Sequence, residues 1–140
     1  MSLLTRMRRN VEGTAALEFA LVAPLFFMTI FTMIGYGIYL SASYSVQQIA
    51  ADTARTAVAG LSSVERKSLS NTYIQSSKLD YAFINKSKLN VDVKDDASNL
   101  NQFTVTVAYD SSDLPIWNLF AFALPDKVIR RYATIRLGGI

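Results

Sequence analysis

A long stretch without any charged side chain dominates the first half of this sequence. It covers 33 positions, from Phe19 to Ala51, and is bounded by Glu18 and Asp52. Its first part, FALVAPLFFMTIFTMIGYGIYL at positions 19–40, is almost entirely apolar. At about 1.5 Å of rise per residue the whole stretch would form a helix of roughly 50 Å, whereas the hydrocarbon core of a bilayer is about 30 Å thick. The sequence therefore predicts a membrane-spanning helix that extends beyond the bilayer.

Residues 19–40 are enough to cross the bilayer, and residues 41–60 are expected to continue the helix into water. Pro24 is expected to kink or loosen the helix near its start, and Gly60 to end it. The continuation carries apolar side chains spaced three and four residues apart, which is typical of one buried helix face. They are Val46, Ile49, Ala50, Ala54, Ala57 and Val58.

The positive charge of the chain lies ahead of this helix. The net charge is +3, of which residues 1–13 contribute +2 through Arg6, Arg8, Arg9 and Glu12. Because cytoplasmic flanks of membrane helices are rich in arginine and lysine, the N-terminus is predicted to be cytoplasmic and the C-terminal part periplasmic. The charge of +1 that is left for residues 14–140 argues against a nucleic-acid partner.

A cleaved secretory signal would also begin with basic residues and an apolar segment. The apolar region of such signals usually has about 7 to 15 residues. The segment here is longer, contains Pro24 and is preceded by Glu18, so a signal peptide is the less favoured interpretation.

The composition excludes most catalytic chemistry. The chain has no cysteine and no histidine, so thiolate nucleophiles, disulfides and the commonest general base and metal ligand are missing. Lys67, Lys78 and Lys86 lie beside serines, but no oxyanion-loop signature accompanies them. We therefore expect no enzymatic activity, no catalytic residue, no metal, no cofactor and no small-molecule substrate.

Three features of the helix are each open to two interpretations. Glu18 is either an interfacial carboxylate favoured by the helix dipole or an assembly residue that needs a cation, since a carboxylate near the bilayer centre costs up to about 3 kcal/mol. Gly37, Ser41 and Ser45 recur every four residues and either form a helix-packing surface or mark the membrane exit. Three tyrosines near that exit fit an interfacial belt or a packing role, namely Tyr36, Tyr39 and Tyr44.

Residues 61–140 are predicted to form a small extracytoplasmic α+β head. Residues 62–84 read as a short amphipathic helix or a polar linker. Three later runs alternate with period two and predict a three-stranded antiparallel sheet: Leu89, Val91, Val93; Phe103, Val105, Val107, Tyr109; and Ile129, Ala133, Ile135, Leu137. The amphipathic pattern of the first segment rests on Val64, Leu69, Tyr73, Ile74 and Leu79.

The connector before the third strand is rich in aromatic residues, with Trp117, Phe120 and Phe122 between Pro115 and Pro125. It is expected to form a short helix over the sheet, and its alternative is an exposed patch that docks on the membrane or a partner. Arg130 and Arg136 share one face of the third strand, and Arg131 lies on the other. Together with Lys127 they indicate a solvated edge strand; a surface for an acidic partner is the less favoured interpretation.

The segment GTAALEFALVAPLFFMTIFTMIGYGIYL, followed by IAADTARTAVAG, resembles TadE-like pseudopilins, which are type IV pilin-like proteins of the tight-adherence (Flp) class. The resemblance implies that a prepilin peptidase cuts between Gly13 and Thr14. It also places Glu18 and Phe19 at the family's glutamate and aromatic positions. In that class the glutamate is thought to meet the mature N-terminal amine of a neighbouring subunit.

The resemblance implies a minor pseudopilin of the bacterial inner membrane, with a removed leader (1–13), a long helix (14–60) and a head (61–140). Its expected partners are the peptidase, other pilin-like subunits, the pilus assembly platform and the membrane. Two alternatives stay open, an anchored single-pass envelope protein whose head binds a partner without processing, and a major pilin.

Overall fold

The computed structural model of the protein describes residues 11–76, 80–99, 101–120 and 125–138. Several residues named above lie outside this part of the chain: Arg6, Arg8, Arg9, Lys78, Leu79 and Phe122. Within it, a long N-terminal helix, short helices and a three-stranded antiparallel sheet confirm the predicted α+β class.

Helix α1 runs without interruption from Val11 to Ala57, over 47 residues. Pro24 lies inside it, and the helix continues on both sides of the proline. The hydroxyl groups of Thr29 and Thr32 donate to carbonyl oxygens one turn back, at 2.9 and 2.8 Å. These two polar side chains are thereby satisfied within the helix itself, which a lipid environment requires.

The second half of α1 is the central element of the head's core. Its small and branched side chains are fully buried against the sheet: Ala42, Val46, Ile49, Ala50, Thr53, Ala54 and Ala57. Val58, assigned to the same stripe by its spacing, is 43% exposed because the helix has already ended at Ala57. The predicted apolar face is therefore correct from Val46 to Ala57 and wrong at Val58.

Gly60 is needed for a close contact and does not itself end the helix. The helix stops earlier, at Ala57, and the Gly60 amide donates to the Ala57 carbonyl at 3.0 Å. A β-carbon on Gly60 would lie 2.7 Å from the backbone nitrogen of Arg66. Only glycine permits this approach between the end of α1 and the next helix.

Helix α2 spans Ser63–Gln75, with Ser62 as its N-cap accepting a hydrogen bond from the Glu65 amide. It is shorter than the predicted 62–84, and a 3₁₀ turn at Lys86–Lys88 precedes the first strand. Its predicted apolar face is also partly wrong, since Val64 is 79% exposed. The buried face is instead mostly polar and consists of Arg66, Ser70 and Ile74.

Arg66 is buried, and its guanidinium contacts three separate groups. One nitrogen donates to the Gly60 carbonyl at 3.1 Å and another to the Asp95 carboxylate at 2.8 Å. The guanidinium carbon also lies 5.1 Å from the centroid of the Phe103 ring. Arg66 thus connects the end of α1, helix α2 and the sheet.

The sheet consists of β1 (Leu89–Asp95), β2 (Gln102–Asp110) and β3 (Val128–Arg136), in that order and all antiparallel. All three strands lie at their predicted positions. The odd-numbered side chains of β2 are buried against α1, and its even-numbered ones face outward. The inner face is thus covered by α1, with α2 beside α1 and β1.

In the described part of the connector, Trp117–Phe120 form a helix, α3, which lies against α1. The predicted short helix is thus confirmed, and it packs on α1, which itself covers the inner face of the sheet. Leu114 and Ile116 are buried in the common core. The Trp117 indole donates to the Ser111 carbonyl at 2.6 Å, and Lys88 Nζ lies 2.5 Å from Asp113 Oδ1, a hydrogen bond that raises the pKa of Lys88.

Candidate functional site: the uncovered half of the long helix

The head covers α1 from Gly35 onward. A β-carbon on Gly35 would lie 3.9 Å from Ile116. One turn later Tyr39 is buried, with its ring edge-on to Trp117 at a centroid distance of 6.4 Å. Between Gly13 and Ile34 no side chain is buried. We call these residues, 13–34, the free segment.

The free segment is apolar around its whole circumference. Its large exposed side chains are Leu17, Phe19, Leu21, Val22, Leu25, Phe26, Phe27, Met28, Phe31, Met33 and Ile34. Within the described part of the chain, α1 is the one helix long and apolar enough to cross a membrane, and its most apolar window is not buried at all. A helix that is hydrophobic on every side needs lipid or other helices around it. The chain therefore has the anchor of a single-pass membrane protein.

The exposed apolar part of α1 ends earlier than the predicted span. Positions 13–34 extend over roughly 33 Å, close to the hydrocarbon thickness of about 30 Å. The span predicted at 19–40 overlaps the head, because Ile38 and Tyr39 belong to the packed core. The apolar helix available to lipid thus ends nearer the N-terminus than composition alone indicated, and Glu18 lies in its exposed part.

Glu18 is the charged side chain of this segment, and it is exposed in the isolated chain. Among the residues that the structure describes, no cation lies within 4 Å of its carboxylate. Gly13 and Thr14 lie in the first turns of α1, and a β-carbon on Gly13 would meet nothing within 4 Å. Among the described residues nothing covers Gly13, and the peptide bond between Gly13 and Thr14 is part of helix α1.

The predicted packing stripe is divided by the edge of the head. Gly37 and Ser41 are exposed, and a β-carbon on Gly37 would have no neighbour within 4 Å. Ser45 is buried and donates to the Ser41 carbonyl at 3.0 Å. The surface open to another helix is thus Gly37 and Ser41. Of the three tyrosines, Tyr39 packs in the core, whereas Tyr36 and Tyr44 are exposed.

Comparison with known proteins identifies this helix. Residues 13–55 match the TadE-like protein family. The TadE-like match begins at Gly13 and ends in the last turn before Ala57, so it covers both the free segment and most of the helix that packs in the head. It confirms the TadE-like resemblance over this region and points to a protein associated with the tight-adherence pilus. No curated protein and no solved structure matches the chain.

Sequence reasoning missed a link between α1 and β3 at the base of the head. Arg131 lies on the inner face of β3, as strand alternation predicts, but it is not solvated like Arg130 and Arg136. Its guanidinium donates to the Ser43 hydroxyl on α1, and to the Arg130 carbonyl at 2.9 Å. The only sequence signal for this contact is the charged residue within the apolar alternation of the strand.

Proposed function

We propose that this protein is a minor, TadE-like pseudopilin that takes part in assembly of a tight-adherence (Flp) pilus. A prepilin peptidase cuts it between Gly13 and Thr14, and the mature chain remains in the inner membrane or joins a pilus with its head on the periplasmic side. The observation that supports the proposal best is the TadE-like match, which begins at Gly13, next to the proposed cleavage position, and runs along the exposed apolar part of α1.

The geometry suits a subunit that exchanges lipid for protein neighbours. The free segment has no partner within the described chain, so its apolar surface is covered by lipid before assembly and by the helices of other subunits afterwards. Gly37 and Ser41 allow close approach of a second helix just outside the free segment. Glu18 supplies a carboxylate for the Thr14 amine of a neighbouring subunit, which offsets the cost of a charge among apolar helices.

Maturation is tested by the N-terminus of the protein isolated from membranes that contain the peptidase. We expect the mass of a chain that begins at Thr14. Gly13→Val should leave the full-length precursor, because a branched side chain blocks the close approach that glycine permits. Gly37→Val, a glycine replacement on the same helix, is the control and should be cut normally. An intact wild-type chain in these cells would contradict the proposal and favour an anchored protein without processing.

Orientation is tested by a reporter fused after Ile140. The arginines before the free segment predict that the head crosses the membrane, so a reporter active only in the periplasm should be active and a cytoplasmic one silent. Replacing Arg6, Arg8 and Arg9 with glutamine should lower the periplasmic signal, since this bias sets the orientation. A strong cytoplasmic signal from the wild-type fusion would exclude both the orientation and the pseudopilin role.

A further inference from the structure

A basic cleft lies at the base of the head, between α1 and the beginning of β3. It has a volume of about 750 Å³ and is lined by Tyr39 of α1 and residues 125–131. The Tyr39 hydroxyl donates to the Asp126 carbonyl at 3.5 Å, which joins the two walls. The cleft is open to solvent on one side and is separate from Glu18 and the proposed cleavage position.

The cleft carries an excess of positive charge. Lys127, Arg130 and Arg131 line it together with a single carboxylate, Asp126. Within the described residues, none of these three cations has a carboxylate within 4 Å. Arg131 is half-buried and held by Ser43, and Lys127 Nζ lies 5.7 Å from the centroid of the Trp117 ring. The site thus offers positioned cations to an anion.

The position of the cleft along α1 indicates which anion it meets. Tyr39 lies five residues beyond Ile34, the end of the free segment, which corresponds to about 7 to 8 Å along the helix. The polar headgroup layer on each side of a bilayer occupies about 5 to 8 Å beyond the hydrocarbon. When the free segment fills the hydrocarbon core, the Tyr39 end of the cleft therefore lies at the depth of the lipid phosphates, whereas Arg131, held at Ser43, lies about 13 to 14 Å beyond the hydrocarbon.

We propose that this cleft binds the phosphate headgroup of an anionic phospholipid in the leaflet next to the head. Lys127 pairs with the phosphate, Arg130 and Arg131 add attraction from farther out, and Trp117 lies at the interface beside the lipid. The bound lipid fixes the depth and rotation of α1 before assembly. This inference rests on the membrane insertion that the proposed function includes, and it does not depend on processing or on pilus formation.

The test uses Trp117, the single tryptophan of the chain. The full-length protein is reconstituted in phosphatidylcholine vesicles that contain brominated phosphatidylglycerol or, separately, brominated phosphatidylcholine, and quenching is normalised to unlabelled lipid for each variant. We expect an association preference for the anionic lipid of about five-fold or more for each cation involved. Equal quenching by both lipids would overturn the proposal.

Matched charge variants separate a site from general attraction. Lys127 is exposed, so Lys127→Gln should lower the preference about five-fold without affecting folding. Arg131→Gln should lower it by less, because Arg131 lies farther from the phosphates. Arg136→Gln removes the same charge at the other end of β3 and should leave the preference unchanged. An equal loss in Arg136→Gln would overturn the proposal. Inorganic phosphate at the lipid concentration should not relieve quenching, and full relief would assign the cleft to a free anion instead.

Discussion

Glu18→Ala should leave a correctly folded protein that no longer assembles with other pilin-like subunits. The head first contacts α1 at Gly35, several helical turns beyond Glu18, so the substitution removes no contact within the described chain. In a bundle of apolar helices the carboxylate would lose its proposed partner, the Thr14 amine of a neighbour, and such charge-assisted contacts are among the strong ones. We expect crosslinks between subunits through the free segment to fall at least ten-fold.

Two further variants at this position distinguish charge from size. Glu18→Gln keeps the length of the side chain and should assemble as poorly as Glu18→Ala. Glu18→Asp keeps the charge but reaches about 1.5 Å less far, so it should recover only part of the loss. Trp117 fluorescence of each variant reports whether the head is folded. Undiminished crosslinks and pili in Glu18→Ala would assign Glu18 to the role of an interfacial helix start.

Gly60→Ala should produce a large loss of stability in the head. The new β-carbon would lie 2.7 Å from the backbone nitrogen and 2.8 Å from Cγ of Arg66. Arg66 cannot move away without losing its bonds to Gly60 and Asp95 and its contact with Phe103. Overpacking, together with the weakening of an ion pair whose Asp95 end is partly exposed, should cost about 3 kcal/mol, which for a chain of this size lowers the melting temperature by roughly 10 °C.

The control for this substitution is Gly37→Ala, a glycine replacement inside helix α1. A β-carbon at Gly37 has no neighbour within 4 Å, and alanine gains up to about 1 kcal/mol of helix propensity. Its melting temperature should therefore be unchanged or slightly higher. Thermal unfolding in detergent, followed by Trp117 fluorescence, is the measurement. If Gly60→Ala had the same melting temperature as the wild type, the close contact between Gly60 and Arg66 would not contribute to the stability of the head.

Local sequence patterns predicted correctly the elements in which the burial of a side chain follows from its position in a regular repeat. The uncharged stretch predicted α1, and strict alternation placed all three strands, because each strand has one face on α1 and one facing outward. The TadE-like resemblance rested on residues of the same helix and was confirmed there. The proposed cleavage position and the role of Glu18 depend on other proteins and stay predictions.

Local sequence patterns gave wrong predictions of burial where contacts with residues distant in the sequence determine which side chains are buried. The apolar pattern predicted Val64 as a core residue of α2. Arg66 is buried instead, because its guanidinium contacts Asp95 and Phe103 of the sheet. The uncovered part of α1 ends earlier than its composition indicated, because Ile116 and Trp117, far along the sequence, cover Gly35 and Tyr39. No window of neighbouring residues contains either contact.

The link between Arg131 and Ser43 has a consequence for the order of events during synthesis. It joins residues 88 positions apart, and β3 is the last strand to emerge from the ribosome. Proteins are synthesised at about 5 to 20 residues per second, so β3 is made roughly 4 to 18 seconds after the part of α1 that it contacts. During this interval the side chains from Ala42 to Ala57 lack the sheet that later buries them. A newly inserted chain therefore passes through a state prone to association, in which the bilayer surface or a chaperone must shield the helix until β3 arrives.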